Sequence, residues 1–103
     1  MTHTITLQYF DGCPNWRHTL SDLREIVSQD PDLSLTTERI ESPEQAEARA
    51  FRGSPTVLVD GVDPFADSDT PVGLSCRVYR TPDGRAWSPT SIQLRTAIAA
   101  AGT

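Results

Sequence analysis

The residue with the clearest capacity for chemistry is Cys13, which lies in the run Phe10-Asp11-Gly12-Cys13-Pro14 between a predicted strand and a predicted helix. The first turn of a helix has unpaired backbone N–H groups and the positive end of the helix dipole, and both stabilise a nearby anion. A cysteine at this position tends to have a lowered pKa and to react as a thiolate. The sequence predicts a nucleophilic thiolate at Cys13; the alternative is a half-buried cysteine that only packs beneath the turn.

The composition excludes several other kinds of site. All nine basic residues are arginine, so the chain has no lysine for a Schiff base or a P-loop. The net charge of −5 disfavours a nucleic-acid partner, because binding to a phosphate backbone requires clustered positive charge. Two cysteines form neither a dense disulfide framework nor a four-thiolate zinc site. We therefore predict no metal site and no nucleic-acid partner, and the two cysteines are the main chemical groups.

Alternating strands and helices are predicted around Cys13. Residues 4–10 alternate apolar and polar side chains, as a strand does, and a helix with one apolar face follows and ends near Gln29. Further strands are predicted at residues 33–40, 56–59 and 77–80, with a loop at residues 61–75. A capping box at Ser42 predicts a short helix that ends at Gly53, and Ser88 precedes the last helix. The order is β-α-β-α-β-β-α, which predicts an α/β fold with helices on both faces of one sheet.

The length and the N-terminal residues predict one cytoplasmic domain, residues 1–103. A chain of this size buries roughly 65% of its unfolded surface, which is enough for one modest core. Residues 1–10 lack the basic and apolar regions of an export signal, and no run approaches the ~18 apolar residues of a membrane span. We expect no membrane partner, and in the cytoplasm a conspicuous cysteine is more often reactive than cross-linked.

A second motif is the step Gly53-Ser54-Pro55-Thr56 into an apolar strand. With the Cys13-Pro14 pair before the first helix, it resembles the thioredoxin superfamily over essentially the whole chain. The resemblance implies a four-stranded mixed sheet and a cis peptide bond before Pro55, which would face Cys13. It also implies that Ser54, Pro55 and Thr56 form the substrate-binding edge, where Ser54 presents backbone groups to a peptide or to glutathione.

A narrower resemblance comes from the run from Tyr9 to Trp16 together with Ser54-Pro55-Thr56 and Gly73-Leu74-Ser75-Cys76. These motifs are similar to those of a group of small bacterial thioredoxin-like proteins, some of which are labelled alkylmercury lyases. Such lyases hold mercury with two thiolates and use a nearby acid to protonate the carbon leaving group. Asp11 is the acid nearest Cys13 in the sequence, and it is more simply a turn residue.

Trp16 departs from the dithiol pattern of the superfamily. It occupies the fourth position of Cys-x-x-Cys, where the second thiol would resolve a mixed disulfide. Two routes remain: a small thiol such as glutathione resolves a mixed disulfide on Cys13, or Cys76 does so. Trp16 itself is predicted to form an apolar wall beside the thiol or to pack in the core through its helix face.

Cys76 has an unfavourable position in the topology that the resemblance implies. The fourth strand would start at the far end of the third, which places Cys76 roughly 13–17 Å from Cys13. A disulfide requires Cα atoms within about 7 Å, so only a return of loop 61–75 over the site would join the two cysteines. Because free cysteine is commonly buried, we expect Cys76 to be a core residue rather than a resolving thiol or metal ligand.

The sequence thus favours a thiol–disulfide redox protein with one active-site thiolate, Cys13. Its partners would be a small thiol or a protein disulfide, with no bound cofactor and with glutathione or another small thiol as reductant. The alternatives are a non-catalytic thioredoxin-fold binding module and a soft-metal or organomercurial protein that uses both cysteines. The oligomeric state stays open, because an edge strand permits pairing between chains.

Overall fold

A three-stranded mixed sheet forms the centre of the fold in the computed structural model, which describes residues 3–66 and 70–101. Its strands are β1 (His3–Tyr9), β2 (Leu33–Arg39) and β3 (Thr56–Val59), in the order β2-β1-β3. β1 is parallel to β2 and antiparallel to β3. A separate antiparallel pair joins β4 (Tyr79–Thr81) to β5 (Gly84–Ala86). The predicted mixed α/β class is confirmed.

The described ranges contain three helices, α1 (Trp16–Ser28), α2 (Pro43–Ala48) and α3 (Ser91–Ala101). α1 ends next to Gln29, as its apolar pattern predicts. α2 begins with the predicted capping box, since the Ser42 hydroxyl accepts the Gln45 N–H at 3.1 Å. It ends at Ala48, earlier than the predicted end at Gly53. None of these three helices has the length and apolar character that crossing a membrane would require.

The register of the central sheet positions the candidate site. β1 and β3 are antiparallel, with Gln8 opposite Thr56, so the end of β1 lies beside the start of β3. The main core holds this arrangement through α1, α3 and the inward side chains of both strands. Its buried members are Ile5, Leu7, Leu23, Ile26, Val57, Val59, Leu94 and Ile98. The chain that follows β1, with Cys13, is therefore brought next to the chain that precedes β3, with Ser54.

The fourth strand predicted at residues 77–80 does not join the central sheet, so the four-stranded arrangement is wrong for this chain. β4 begins at Tyr79 and its described ladder partner is β5. Residues 75–77 instead form one parallel bridge with Ser54, ahead of β3. At the other end of β3, Val59 forms a bridge with Val62. These short contacts occupy both ends of the β3 edge where a fourth strand would have formed a ladder.

Asp60 ties the end of β3 to the start of β1. Its carboxylate accepts the backbone N–H of Thr4 at 2.9 Å and is hydrogen-bonded to the ring of His3. The hydrogen bond with His3, followed by that from Thr4, holds the pKa of Asp60 below its ordinary value. A lowered folded-state pKa stabilises the fold above the unfolded value of ~3.9, and this contribution is lost as the pH falls through the folded-state pKa.

The change Asp60→Asn tests this contribution. Asn tolerates the positive φ of 52° at this position, so the variant removes the charge without added backbone strain. We expect a lower free energy of unfolding than the wild type at about pH 7, and a smaller difference at about pH 2.5, because the wild-type carboxyl takes up a proton as the pH falls through its folded-state pKa. Urea unfolding at the two pH values measures it, with the exposed Asp83→Asn as a control. A difference that is the same at both pH values contradicts the assignment.

Candidate functional site

Cys13 and Cys76 form a disulfide, with Cα atoms 5.6 Å apart. This separation lies inside the range that the bond allows, so the expected distance of roughly 13–17 Å is wrong. The chain follows the one route that would join the two cysteines, a return over the site between β3 and β4. Residues 67–69 of that connection lie outside the described ranges.

Cys13 lies in the turn between β1 and α1. Its N–H donates to the carbonyl of Phe10 at 3.0 Å, and the Arg17 N–H donates to the carbonyl of Pro14 at 3.2 Å, so a helical turn precedes the first residue of α1. Asn15 at the N-cap makes no side-chain capping hydrogen bond. The first turn of α1 therefore keeps the N–H groups and partial positive charge that favour an anion, as the sequence predicts.

The two sulfur-bearing residues differ in exposure. Cys13 is only 2% exposed, whereas Cys76 is exposed to solvent. The prediction that Cys76 is a core residue is therefore wrong. Residues 73–77, the segment that carries Cys76, are held against the chain around Phe51. The Gly73 N–H donates to the carbonyl of Phe51 at 2.9 Å, and Leu74 packs against the buried cluster of Ile40, Ala46 and Phe51. Cys76 is thus an exposed residue on a docked segment.

Ser54 forms the backbone contact that holds this segment. Its N–H donates to the carbonyl of Ser75 at 2.8 Å, and its carbonyl accepts the N–H of Arg77 at 3.0 Å. The Ser54–Pro55 peptide bond is cis, as the resemblance implies. The Ser54 side chain is buried, and its hydroxyl has no hydrogen-bond partner in the described parts of the chain. In the disulfide form, the backbone that was predicted to meet a substrate pairs with the chain's own residues 75–77.

Arg77 fixes the other side of the segment. It is 3% exposed, and its guanidinium lies 2.6 Å from the carboxylate of Asp63 and 3.3 Å from the hydroxyl of Thr56. Thr56 in turn donates to the carbonyl of Gly53 at 2.6 Å. The guanidinium also lies 4.7 Å from the centre of the Tyr79 ring. Thr56, a predicted substrate-binding residue, is therefore part of a buried network beneath the disulfide.

Tyr79 completes this network. Its hydroxyl donates to the carbonyl of Pro55, and burial raises its pKa well above the ordinary value, with Arg77 opposing the shift. The sequence interpretation missed Arg77 and Asp63. The alternation of residues 77–80 could have indicated Arg77. In an extended chain Arg77 and Tyr79 lie on the same face, so a buried Tyr79 implies a buried Arg77. Both are buried in the structure, and Val78 is exposed.

The aromatic residue beside the site, Trp16, packs on its neighbours. Its ring stacks on Tyr9 with centroids 4.2 Å apart, and the Arg17 guanidinium lies 5.4 Å from its ring centre. It is half-buried against the main core, which agrees with a packing role at the start of α1. Asp11 is engaged with Arg39 at 2.6 Å.

Gly53 permits the close approach of residues 75–77, and its replacement tests that approach. An added Cβ would lie 2.9 Å from the Cβ of Arg77 and 3.2 Å from the carbonyl oxygen of Ser75. Gly84 is a matched control, because it has the same φ of +109° with nothing within 4 Å of an added Cβ. We expect Gly53→Ala to lower the free energy of unfolding by about 1–3 kcal/mol more than Gly84→Ala.

Urea unfolding of the two variants measures this difference. Mass spectrometry without reductant measures the disulfide, which we expect to form less completely in Gly53→Ala alone. Equal losses of stability and equal disulfide formation would show that the segment does not require glycine at position 53.

Within residues 3–66 and 70–101, no group of three or more His, Cys, Asp or Glu side chains is placed to hold a metal ion. No protein-family model and no curated protein matches the sequence of this chain.

Proposed function

We propose that this protein is a thiol–disulfide redox protein in which Cys13 and Cys76 cycle between a dithiol and an intramolecular disulfide. The observation that carries the proposal is the convergence of the two cysteines at the start of α1, beside Ser54 and the cis bond to Pro55. Of the two routes that Trp16 leaves open, this convergence favours the one in which Cys76 supplies the second thiol. Cys13 would supply the thiolate at the helix N-terminus.

A thioredoxin-like fold is part of the proposal. It is supported by the parallel β1–β2 pair joined through α1, by β3 antiparallel to β1, and by the cis proline ahead of β3. The separation of β4 from the central sheet departs from that fold. The departure has a local cause, since residues 75–77 are drawn to Ser54 instead of continuing along β3.

The proposed reaction exchanges one disulfide for another. The dithiol form gives two electrons and two protons to a partner disulfide, which becomes two thiols, while the Cys13–Cys76 bond forms. Two molecules of a small thiol such as glutathione return the dithiol and leave as their own disulfide. We propose the cytoplasm as the location, because its thiol pool would keep regenerating the dithiol.

Redox equilibration tests the proposal. The protein is incubated in glutathione and dithiothreitol buffers, quenched in acid, alkylated and weighed by mass spectrometry. We expect both thiols to appear in one two-electron transition, with a midpoint between about −270 and −120 mV, the range of dithiol oxidoreductases. Cys13→Ser and Cys76→Ser are the controls and lose this transition.

Two outcomes would contradict the proposal. A disulfide that persists well below about −300 mV would be a structural cross-link. A chain that forms no bond between Cys13 and Cys76 within one monomer would rule out the two-cysteine cycle.

The same convergence favours a second candidate, a site for a soft metal ion. After reduction, two thiolates would lie close enough to bind one ion such as Hg²⁺, since soft ions prefer sulfur ligands. Cleavage of a carbon–mercury bond is less well supported, because Asp11 is engaged with Arg39. We expect one equivalent of Hg²⁺ to protect both thiols of the reduced protein from alkylation in the presence of glutathione. Equal protection of Cys76→Ser would count against a two-thiolate site.

A further inference from the structure

We propose that Cys76 is the sulfur that exchanges with external thiols and disulfides, and that Cys13 is the buried leaving and resolving thiol. This inference rests on the proposed redox function and assigns the roles within it. It reverses the order that the sequence suggests, in which Cys13 at the helix N-terminus meets the partner first.

Exposure determines which sulfur a thiolate can reach. A thiolate attacks one sulfur of a disulfide from the side opposite the sulfur that leaves, and the rate depends on access to that side. Cys13 is only 2% exposed, so attack on its sulfur would have to come from within the protein. Cys76 is an exposed residue, so of the two cysteines it is the one that a thiolate from solvent can approach.

The approach to Cys13 along Ser54 is also closed. Both backbone hydrogen-bonding groups of Ser54 are used by Ser75 and Arg77, so an incoming peptide has no free edge to pair with there. The contact is tight, because a Cβ on Gly53 would lie 2.9 Å from the Cβ of Arg77.

Contacts other than the disulfide also hold residues 73–77 against Ser54. Arg77 is held by the carboxylate of Asp63 at 2.6 Å, and Tyr79 by the carbonyl of Pro55. Gly73 is held by the carbonyl of Phe51 at 2.9 Å. We therefore expect the segment to stay docked when the disulfide opens, with Cys76 as the outer sulfur in the dithiol form as well.

Cys13 is suited to leave as a thiolate. It lies in the turn that leads into α1, whose N-cap Asn15 makes no side-chain hydrogen bond, so the positive end of the helix dipole can stabilise an anion there. Ser54 lies next to the pair through its backbone bridge to Cys76, and its buried hydroxyl has no partner in the described residues, so it is available to donate to a thiolate there. A buried hydroxyl without a partner is unfavourable, and a hydrogen bond to the departing thiolate would remove that cost.

The exchange then proceeds in two balanced steps. An external thiolate attacks Cys76, forming a mixed disulfide on Cys76 and releasing Cys13 as a thiolate, which can take a proton from water. A second external thiolate attacks the external sulfur of the mixed disulfide, releasing Cys76 and forming the external disulfide. In reverse, Cys76 attacks a partner disulfide, one partner thiol leaves, and Cys13 attacks Cys76 to release the other.

Sulfite cleavage of the oxidised full-length protein tests the assignment. Sulfite forms a stable S-sulfonate on the sulfur that it attacks and frees the other as a thiolate, which iodoacetamide then alkylates. Peptide mapping after partial reaction reads both positions. We expect the sulfonate on Cys76 and the alkyl group on Cys13 in more than about tenfold excess over the opposite pattern. The same reaction in guanidinium is the control, in which the preference should disappear.

Single-cysteine variants give an independent measurement. We expect Cys13→Ser, which keeps Cys76, to form a mixed disulfide with glutathione disulfide at least about tenfold faster than Cys76→Ser, which keeps the buried Cys13. Thermal unfolding checks that both variants are folded. Sulfonate mainly on Cys13, an equal distribution in the native protein, or faster reaction of Cys76→Ser would overturn the assignment.

The failure of this inference is distinguishable from that of the proposed function. If sulfite labels Cys76 but the disulfide resists glutathione buffers, the redox function fails and the order of attack stands. If the pair titrates with glutathione but sulfite labels Cys13, the function stands and the order of attack is wrong.

Discussion

The two backbone hydrogen bonds between Ser54 and residues 75–77 determine the character of the site. They hold the chain that returns from β3 against the residues ahead of β3, which lie beside the end of β1 because Gln8 pairs with Thr56. Cys76 thereby reaches Cys13, although a long stretch of sequence separates them. The same hydrogen bonds keep residues 77–80 out of the central sheet. The part of the chain that supplies the second thiol therefore does not form a fourth strand of that sheet.

The ion pair between buried Arg77 and half-buried Asp63 makes this arrangement specific. A buried ion pair contributes little net stability, because the cost of removing both charges from water offsets their attraction. An uncompensated buried charge is strongly unfavourable, however, so Arg77 is stable in this position only where Asp63, Thr56 and the Tyr79 ring meet it. The ion pair therefore favours the position of residues 75–77 in which Arg77 meets these partners over positions in which it does not. Since the chain has no lysine, a planar guanidinium with several donors performs this role.

Local patterns predicted the elements, and long-range contacts determined what the sequence could not predict. The alternation of β1, the apolar face of α1 and the capping box at Ser42 each depend on neighbouring residues, and all three are present. Cys13 and the run Gly53-Ser54-Pro55-Thr56 before β3 were also predicted from neighbouring residues alone. The position of Cys76 depends on a loop that carries no periodicity, and the partner of Arg77 lies in that loop at Asp63. The strand at residues 77–80 was predicted from its own pattern, but its place in a four-stranded sheet was implied by the resemblance. In this chain the hydrogen bond between Ser54 and Ser75 accompanies a different course.

Two opposing effects set the balance between the dithiol and the disulfide. Docking of residues 73–77 through Gly73, Ser54 and Arg77 keeps the Cys76 thiol close to Cys13, which raises its effective concentration and favours the disulfide. The helix N-terminus stabilises the Cys13 thiolate, which favours the dithiol and makes the disulfide a stronger oxidant. Both effects act on the same pair through different groups. A substitution at Arg77 therefore changes the first without altering the helix terminus, and the redox equilibrium then reports the contribution of docking alone.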